Sequence, residues 1–210
     1  MTFFEHQALS DIDWTDADLS EAVFTGCLIE DLDASGANLS GARFKDCRIV
    51  RSRFARCDLR EAVFEDCSFA DKESRTGLVA AFSNLEMARF ARVDFAKAFG
   101  RKVVRSAATF HDCNLELADL SQARLAECVL TDCDLREADL SGADLEGADL
   151  TGANLFHAVL TGAKLAGADL RGAEVSGLDL AALATRDGLK ITADQQYALL
   201  TALGIDVHAS

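Results

Sequence analysis

Residues Asp134–Leu155 read DLREADLSGADLEGADLTGANL, in which Ala-Asp-Leu or a near copy returns every five residues. Five fits neither the 3.6-residue turn of an α-helix nor the two-residue alternation of a strand. With the Leu or Phe taken as a central position, the register extends far beyond this stretch. One run holds Phe4, Leu9, Trp14, Leu19, Phe24, Ile29, Ala34, Leu39, Phe44, Ile49, Phe54, Leu59, Phe64 and Phe69. A second, offset by one, holds Leu85, Phe90 and Phe95, then Phe110, Leu115, Leu120 and every fifth residue to Leu180. Two positions before each centre sits a small residue, such as Ala22, Cys27, Ala37, Ala138 or Ala143, and the other positions are mostly polar. Two side chains in five point inward and three point out.

A chain that turns a corner every five residues closes a square coil after four repeats. The longer period is visible too. EAVF, GARF and EAVF end at Phe24, Phe44 and Phe64, and Cys27, Cys47 and Cys67 follow three residues after each. Stacked coils place these residues in columns, joined by backbone hydrogen bonds at the strand spacing of about 4.8 Å. One repeat buries too little to stand alone, so only stacking makes a core. The expectation is an all-β, four-sided solenoid. The pattern resembles the pentapeptide-repeat family over about residues 4–180, and that resemblance implies a right-handed quadrilateral β-helix.

The register breaks in two places. The Phe column steps from Phe64 to Phe90, six residues more than a coil, and the surplus falls in ADKESRTG, Ala70–Gly77. This polar, Gly-ended stretch reads as a loop at one corner, either a tolerated insertion or a recognition element. Phe90 and Phe110 restore a twenty-residue step, yet Gly100 and Arg105 occupy intervening centres. Residues 98–108 are therefore expected to form a distorted coil or a second excursion, since an unpaired Arg is costly to bury. The repeat itself stops after Leu180. Asp187-Gly188 then suggests a turn, Thr192-x-x-Gln195 a capping box, and 193–203 a helix stopped by Gly204. The β-helix is assigned to 1–184 and the helical tail to 185–210. The tail reads as a lid over the last coil, as a dimer contact, or as both.

Composition narrows the function. The 210 residues are half hydrophobic, with no Pro. MTFFEHQALSDIDW at the start lacks a basic region followed by an apolar run, and no window approaches the roughly 20 apolar residues of a membrane span. A cytoplasmic protein with no membrane contact is expected. All seven cysteines (27, 47, 57, 67, 113, 128, 133) occupy the small inward position and read as buried, reduced thiols. The histidines are scattered, and outward aspartates on a packed rod offer no cavity to tune a carboxylate. Neither an enzyme, a metal site nor a cofactor is expected.

Charge is segregated along the chain, whose formal net is −14. Residues 1–42 carry nine acids and no Lys or Arg, and residues 43–105 carry fifteen bases against nine acids. Residues 106–180 carry fourteen acids against four bases. At strand spacing this last segment has about one net charge per 1.8 Å of rod, close to the roughly 1.7 Å of duplex DNA. Such a rod could compete for a protein saddle that binds duplex, although solubility alone also favours net charge.

The loop ADKESRTG and the tail YALLTALGIDV resemble the quinolone-resistance (Qnr-type) subgroup of the family. That resemblance implies a homodimer joined through the C-terminal helix, acting as a DNA mimic on gyrase or topoisomerase IV and protecting it from quinolone-like poisons. It would not bind nucleic acid directly. Carried over, the loop role falls on Asp71, Lys72, Glu73, Ser74 and Arg75, and the dimer role on Tyr197, Leu199, Leu200, Leu203 and Ile205. Asp134, Asp139, Asp144 and Asp149 represent the acidic surface. The alternative is a generic pentapeptide scaffold with an unrelated partner.

Overall fold

Each five-residue repeat builds one side of a coil and one corner. The backbone corners two residues after each centre take left-handed conformations. Non-Gly corners from His6 to His157 have φ of 50–60°, and the glycine corners from Gly142 to Gly172 have φ of 65–73°. The next small residue then donates its N–H back to the preceding centre, as Ala143 does to the Leu140 carbonyl at 3.0 Å. The residue before the centre closes the corner from outside. Oδ1 of Asp139 accepts the N–H of Ser141 at 2.9 Å, Asp149 that of Thr151 at 3.0 Å, and Asn154 that of Phe156 at 3.1 Å. Asp and Asn suit this position because their short side chains reach the backbone two residues on. Ala-Asp-Leu thus encodes an inward spacer, a corner clasp and a core residue.

The computed structural model describes residues 2–67, 69 and 109–208, together with the backbone of 79–81, 89–91, 96–98 and 104–106. The three-residue strands are β1 (Phe3–Glu5), β2 (Ala8–Ser10), β3 (Val23–Thr25), β4 (Leu28–Glu30), β5 (Arg43–Lys45), β6 (Arg48–Val50) and β7 (Arg53–Ala55). They continue as β8 (Val63–Glu65), β9 (Val79–Ala81), β10 (Arg89–Ala91), β11 (Ala96–Ala98), β12 (Val104–Ser106), β13 (Thr109–His111) and β14 (Val129–Thr131). Parallel sheets form the sides of a right-handed quadrilateral β-helix. The first side is β1-β3-β5-β8-β10, the second β2-β4-β6, and the third β7-β9-β13-β14. The fourth is a ladder of single bridges such as Asp18–Asn38–Asp58 and Asn114–Asp134–Asn154.

Inside, the columns stack as the sequence pattern requires. Phe4, Phe24, Phe44 and Phe64 lie ring on ring, with centroids 4.5–4.7 Å apart. From Leu115 to Leu170 every centre is a buried Leu, set over layers of Ala and Cys. Every cysteine is a buried free thiol. The Cys57 S–H donates to the Ala34 carbonyl at 2.8 Å, and Cys67 to that of Phe44 at 3.3 Å.

One column differs from the reading of the sequence. Phe110 pairs with Ala80, which pairs in turn with Phe54, so all three belong to the third side. Phe90 pairs with Phe64 on the first side. The twenty residues between Phe90 and Phe110 are therefore not one coil. They span half a coil plus ten further residues, a coincidence of length that mimics the period. Within this span β11 and β12 pair antiparallel, Ala96 with Ser106 and Ala98 with Val104, whereas the pairings of the rod are parallel.

The five-residue pattern ends at Leu180, but the ladder does not. A 3₁₀ turn, Leu180–Ala182, adds one residue, after which Thr185 bridges to Lys164 and Lys190 to Asp169. The helix α1 covers Gln196–Ala202, starting later than the sequence pattern suggests because 193–195 form a turn. The capping box is half made. Gln195 Oε1 accepts the N–H of Thr192 at 2.6 Å, but the Thr192 hydroxyl donates to that same oxygen.

Candidate protein-interaction surface

Asp134, Asp139, Asp144 and Asp149 are successive repeats, so they circle a single coil with one on each side. The structure brings no two of them to one face. Each is half-buried rather than freely projecting, because its carboxylate clasps its own corner. Their axial neighbours differ. Asp139 lies in register with Asp119 and Asp149 with Asp169, so like charges stack on these sides. Asp144 stands between Arg124 and Lys164, and the Lys164 ammonium is 3.7 Å away. Asp134 lies between Asn114 and Asn154, and Arg136 bonds both it and Glu116 at 2.7 and 2.9 Å. Asp134 and then Glu116 raise the Arg136 pKa, and the Arg171 guanidinium holds the Asp169 carboxyl below the ordinary carboxylate range. The acidic half is thus a rod charged around its whole perimeter, with a few bases set between the acids.

The loop candidates Asp71, Lys72, Glu73, Ser74 and Arg75 lie outside the described residues. Their flanks are informative, since Phe69 is buried and the third-side step from Phe54 to Ala80 is twenty-six residues.

At the other end, the tail divides its apolar residues. Leu199 turns into the core of its own rod and is 3 % exposed. That burial removes Leu199 from the set able to meet a second molecule. Tyr197, Leu203, Ile205 and Val207 are exposed, by 62, 42, 47 and 39 %, and Leu200 is half-buried between them. Gln195 went unrecognised as more than a helix cap. Its amide donates to the carbonyls of Leu170 at 2.6 Å and Ala173 at 2.7 Å, where the rod runs out of coils. The only sequence signal for it was a polar residue inside an apolar tail.

Concavities on the described surface are shallow. One groove of about 240 Å³ lies along Glu21, Ser40, Gly41, Arg60 and Glu61, and another of about 190 Å³ runs past Val159, Thr161, Gly177 and Asp179. Among the described residues no His, Cys, Asp and Glu cluster could hold a metal, and no helix is long and apolar enough to cross a membrane.

Four sides, left-handed corners and the Asp clasp together define the repeat, and a family profile described as pentapeptide repeats matches residues 37–71, 113–152 and 148–181 in eight copies. This chain is a pentapeptide-repeat protein. No curated protein sequence matches this pentapeptide-repeat chain at a significant level. Among solved structures it is similar to two forms of trypsin-treated QnrB1, a plasmid-mediated fluoroquinolone resistance protein. The first shares 25% identity over 99% of this chain and 92% of that one, with a TM-score of 0.60. The second shares 22% over 99% and 100%, with a TM-score of 0.63. HetL from the cyanobacterium Nostoc sp. strain PCC 7120, a pentapeptide-repeat protein involved in heterocyst differentiation regulation, shares 24% over 90% and 84%, with a TM-score of 0.43.

Proposed function

We propose that this pentapeptide-repeat protein is a non-enzymatic DNA mimic of the quinolone-resistance subgroup, which binds a type II topoisomerase and shields it from quinolone-like poisons. The observation that carries the reading is the likeness to QnrB1 along nearly the whole chain, at 25% identity. Charge supports it. Residues 106–180 place their carboxylates on all four sides of the stack, as phosphates surround a duplex, rather than in one patch. Two rods joined at their C-terminal ends through Tyr197, Leu200, Leu203 and Ile205 would set two such segments in line. The loop of Asp71–Arg75 would then reach a second surface of the enzyme.

Purified protein added to gyrase and to topoisomerase IV, with and without a quinolone, tests this. Drug-trapped cleavage should fall as protein is added, and binding should weaken steeply with salt, because screening acts on exposed charge. Reversing Asp139, Asp144 and Asp149 together should weaken binding generally. Removal of 70–77 should spare much of the binding but reduce protection. If neither enzyme binds the protein or changes its cleavage at any salt concentration, the chain is a scaffold for some other partner.

A further inference from the structure

Residues 43–60 hold seven bases and two acids, between acidic stretches of the chain. In the structure they form a collar one coil high. Arg43 and Lys45 lie on β5, Arg48 on β6, Arg51 at the next corner, Arg53 on β7, Arg56 at the corner after it, and Arg60 on the fourth side. A carboxylate one coil beneath, or two residues back in the same coil, decides which of them is neutralised. Arg51 stands one coil from Asp31 and grips both its oxygens, at 2.7 and 2.8 Å. Arg53 is 4.0 Å from Asp33, and Arg60 bonds Asp58 at 2.8 Å. Beneath Arg43, Lys45 and Arg48 the register partners are Val23, Thr25 and Leu28, which offer no carboxylate.

These three side chains are exposed, and among the described residues none of them makes an ion pair. Asp46, at the corner between Lys45 and Arg48, pairs with neither. By contrast Arg136, Lys164, Arg171 and Lys190 each have a carboxylate within 4 Å. Lys45 stands in register with Glu65 of the coil above, as Arg124 does with Asp144, in each case without an ion pair between them. Arg43 and Lys45 project from one strand about 7 Å apart, and Arg48 follows one corner later. Like charges this close repel, and an external anion would relieve the repulsion.

The width of the collar selects the class of anion. It is about 5 Å high along the rod, the rise of one coil. Below it residues 1–42 carry acids only, and the coil above brings Glu61, Glu65 and Asp66 before the next base on this side, Arg89 of β10. A duplex, whose major groove alone is about 12 Å wide, would overrun both acidic borders. An acidic chain segment crossing the rod along β5 and β6 would meet only the collar.

We propose that Arg43, Lys45 and Arg48 form a docking site for an acidic protein segment with several Asp or Glu residues. The site is independent of the topoisomerase reading, since it uses the opposite charge on a different part of the rod.

The probe is a fluorescein-labelled peptide of alternating Glu and Ser, about twelve residues long, followed by anisotropy at about 50 and 300 mM salt. A 20-base-pair duplex serves as the competing anion. Wild-type protein should bind the peptide at low salt and lose it at high salt. R43Q/K45Q/R48Q should weaken binding at least tenfold, while R124Q/K164Q/R171Q, with the same loss of charge elsewhere, should change it less than twofold. Thermal melting establishes that both variants are folded. The proposal is overturned if the peptide fails to bind at low salt, or if both variants weaken it equally, which would mean net charge alone acts. It is equally overturned if the duplex binds more tightly than the peptide, or if the collar variant alters only the oligomeric state, which would make a second copy the occupant.

Discussion

The side-chain amide of Gln195 donates to the carbonyl of Ala173 at 2.7 Å, in the place where a further coil would have supplied a backbone amide. One side chain thus terminates a stack of hydrogen bonds that has no natural end. Gln195→Ala should leave the Ala173 carbonyl unmet in a buried site and lower stability by about 1–3 kcal/mol. A melting curve that overlays the wild type would show that this carbonyl finds another partner.

Corner chemistry predicts opposite effects at two positions. Gly162 has φ of +72°, and an added Cβ would meet nothing closer than 3.9 Å. Gly162→Ala should therefore cost about 1 kcal/mol through backbone strain alone. Leu117 has φ of +58° and is 46 % exposed, so Leu117→Gly should stabilise by up to about 1 kcal/mol. Chemical denaturation of both variants measures the pair.

Stability should fall on both sides of neutrality. In the folded state the Arg51 bond lowers the pKa of Asp31, the Arg60 bond that of Asp58, and the Ser35 hydroxyl that of Asp33. Their contribution is complete above the unfolded value of about 3.9 and drains away as pH falls through the lower folded values. Burial pushes the Cys57 thiol up to about 11. That contribution is complete below the unfolded thiol value of about 8.5 and is lost as pH rises from there to the folded value. Melting temperature against pH should show a plateau between these limits, with Asp31→Asn flattening the acid limb.

The tail should separate folding from association. Leu199→Ala removes a side chain buried in its own rod and should cost about 2–5 kcal/mol of stability without changing oligomeric state. Leu203→Asp with Ile205→Asp should leave the melting of a monomer intact but prevent dimerisation. Light scattering of the two variants distinguishes these outcomes, and a double variant that still dimerises would confine the tail to its role as a lid.

The thiols should be silent. All seven cysteines are at most 2 % exposed, and the neighbouring Cys47 thiol, then burial, hold the Cys67 proton well above the usual thiol range. A disulfide reagent should label none in native protein and all seven after denaturation.

Much of this architecture can be read from the chain because the repeat is self-referential. Each Leu or Phe centre and each small residue before it has one possible direction, so the core of Leu135–Leu170 follows from spacing alone. The Asp of Ala-Asp-Leu was harder to read. Its polarity suggests an outward charge, and only the corner geometry shows it bonded to its own backbone. Register past an insertion is harder still. Phe90 and Phe110 are a coil's length apart in sequence yet on opposite sides of the rod, because half a coil and ten added residues equal one period. The collar had a compositional signal in residues 43–60. Which of its members lack a counter-ion depends largely on what lies one coil away, and linear sequence separates those neighbours by twenty residues.

The bonds between coils all run along the axis of the rod, and each coil touches only the one before it and the one after. Tension applied to the two ends would load these contacts in series, so the molecule should yield a single rung at a time rather than rupture as a block. Gln195 and Leu199 clamp the last rung, whereas β1 is an edge strand held by β3 alone, so the tear would start at β1. Each lost rung would release about twenty residues, or roughly 65 Å of slack, giving an evenly spaced staircase until the interruption after Phe69 breaks its regularity.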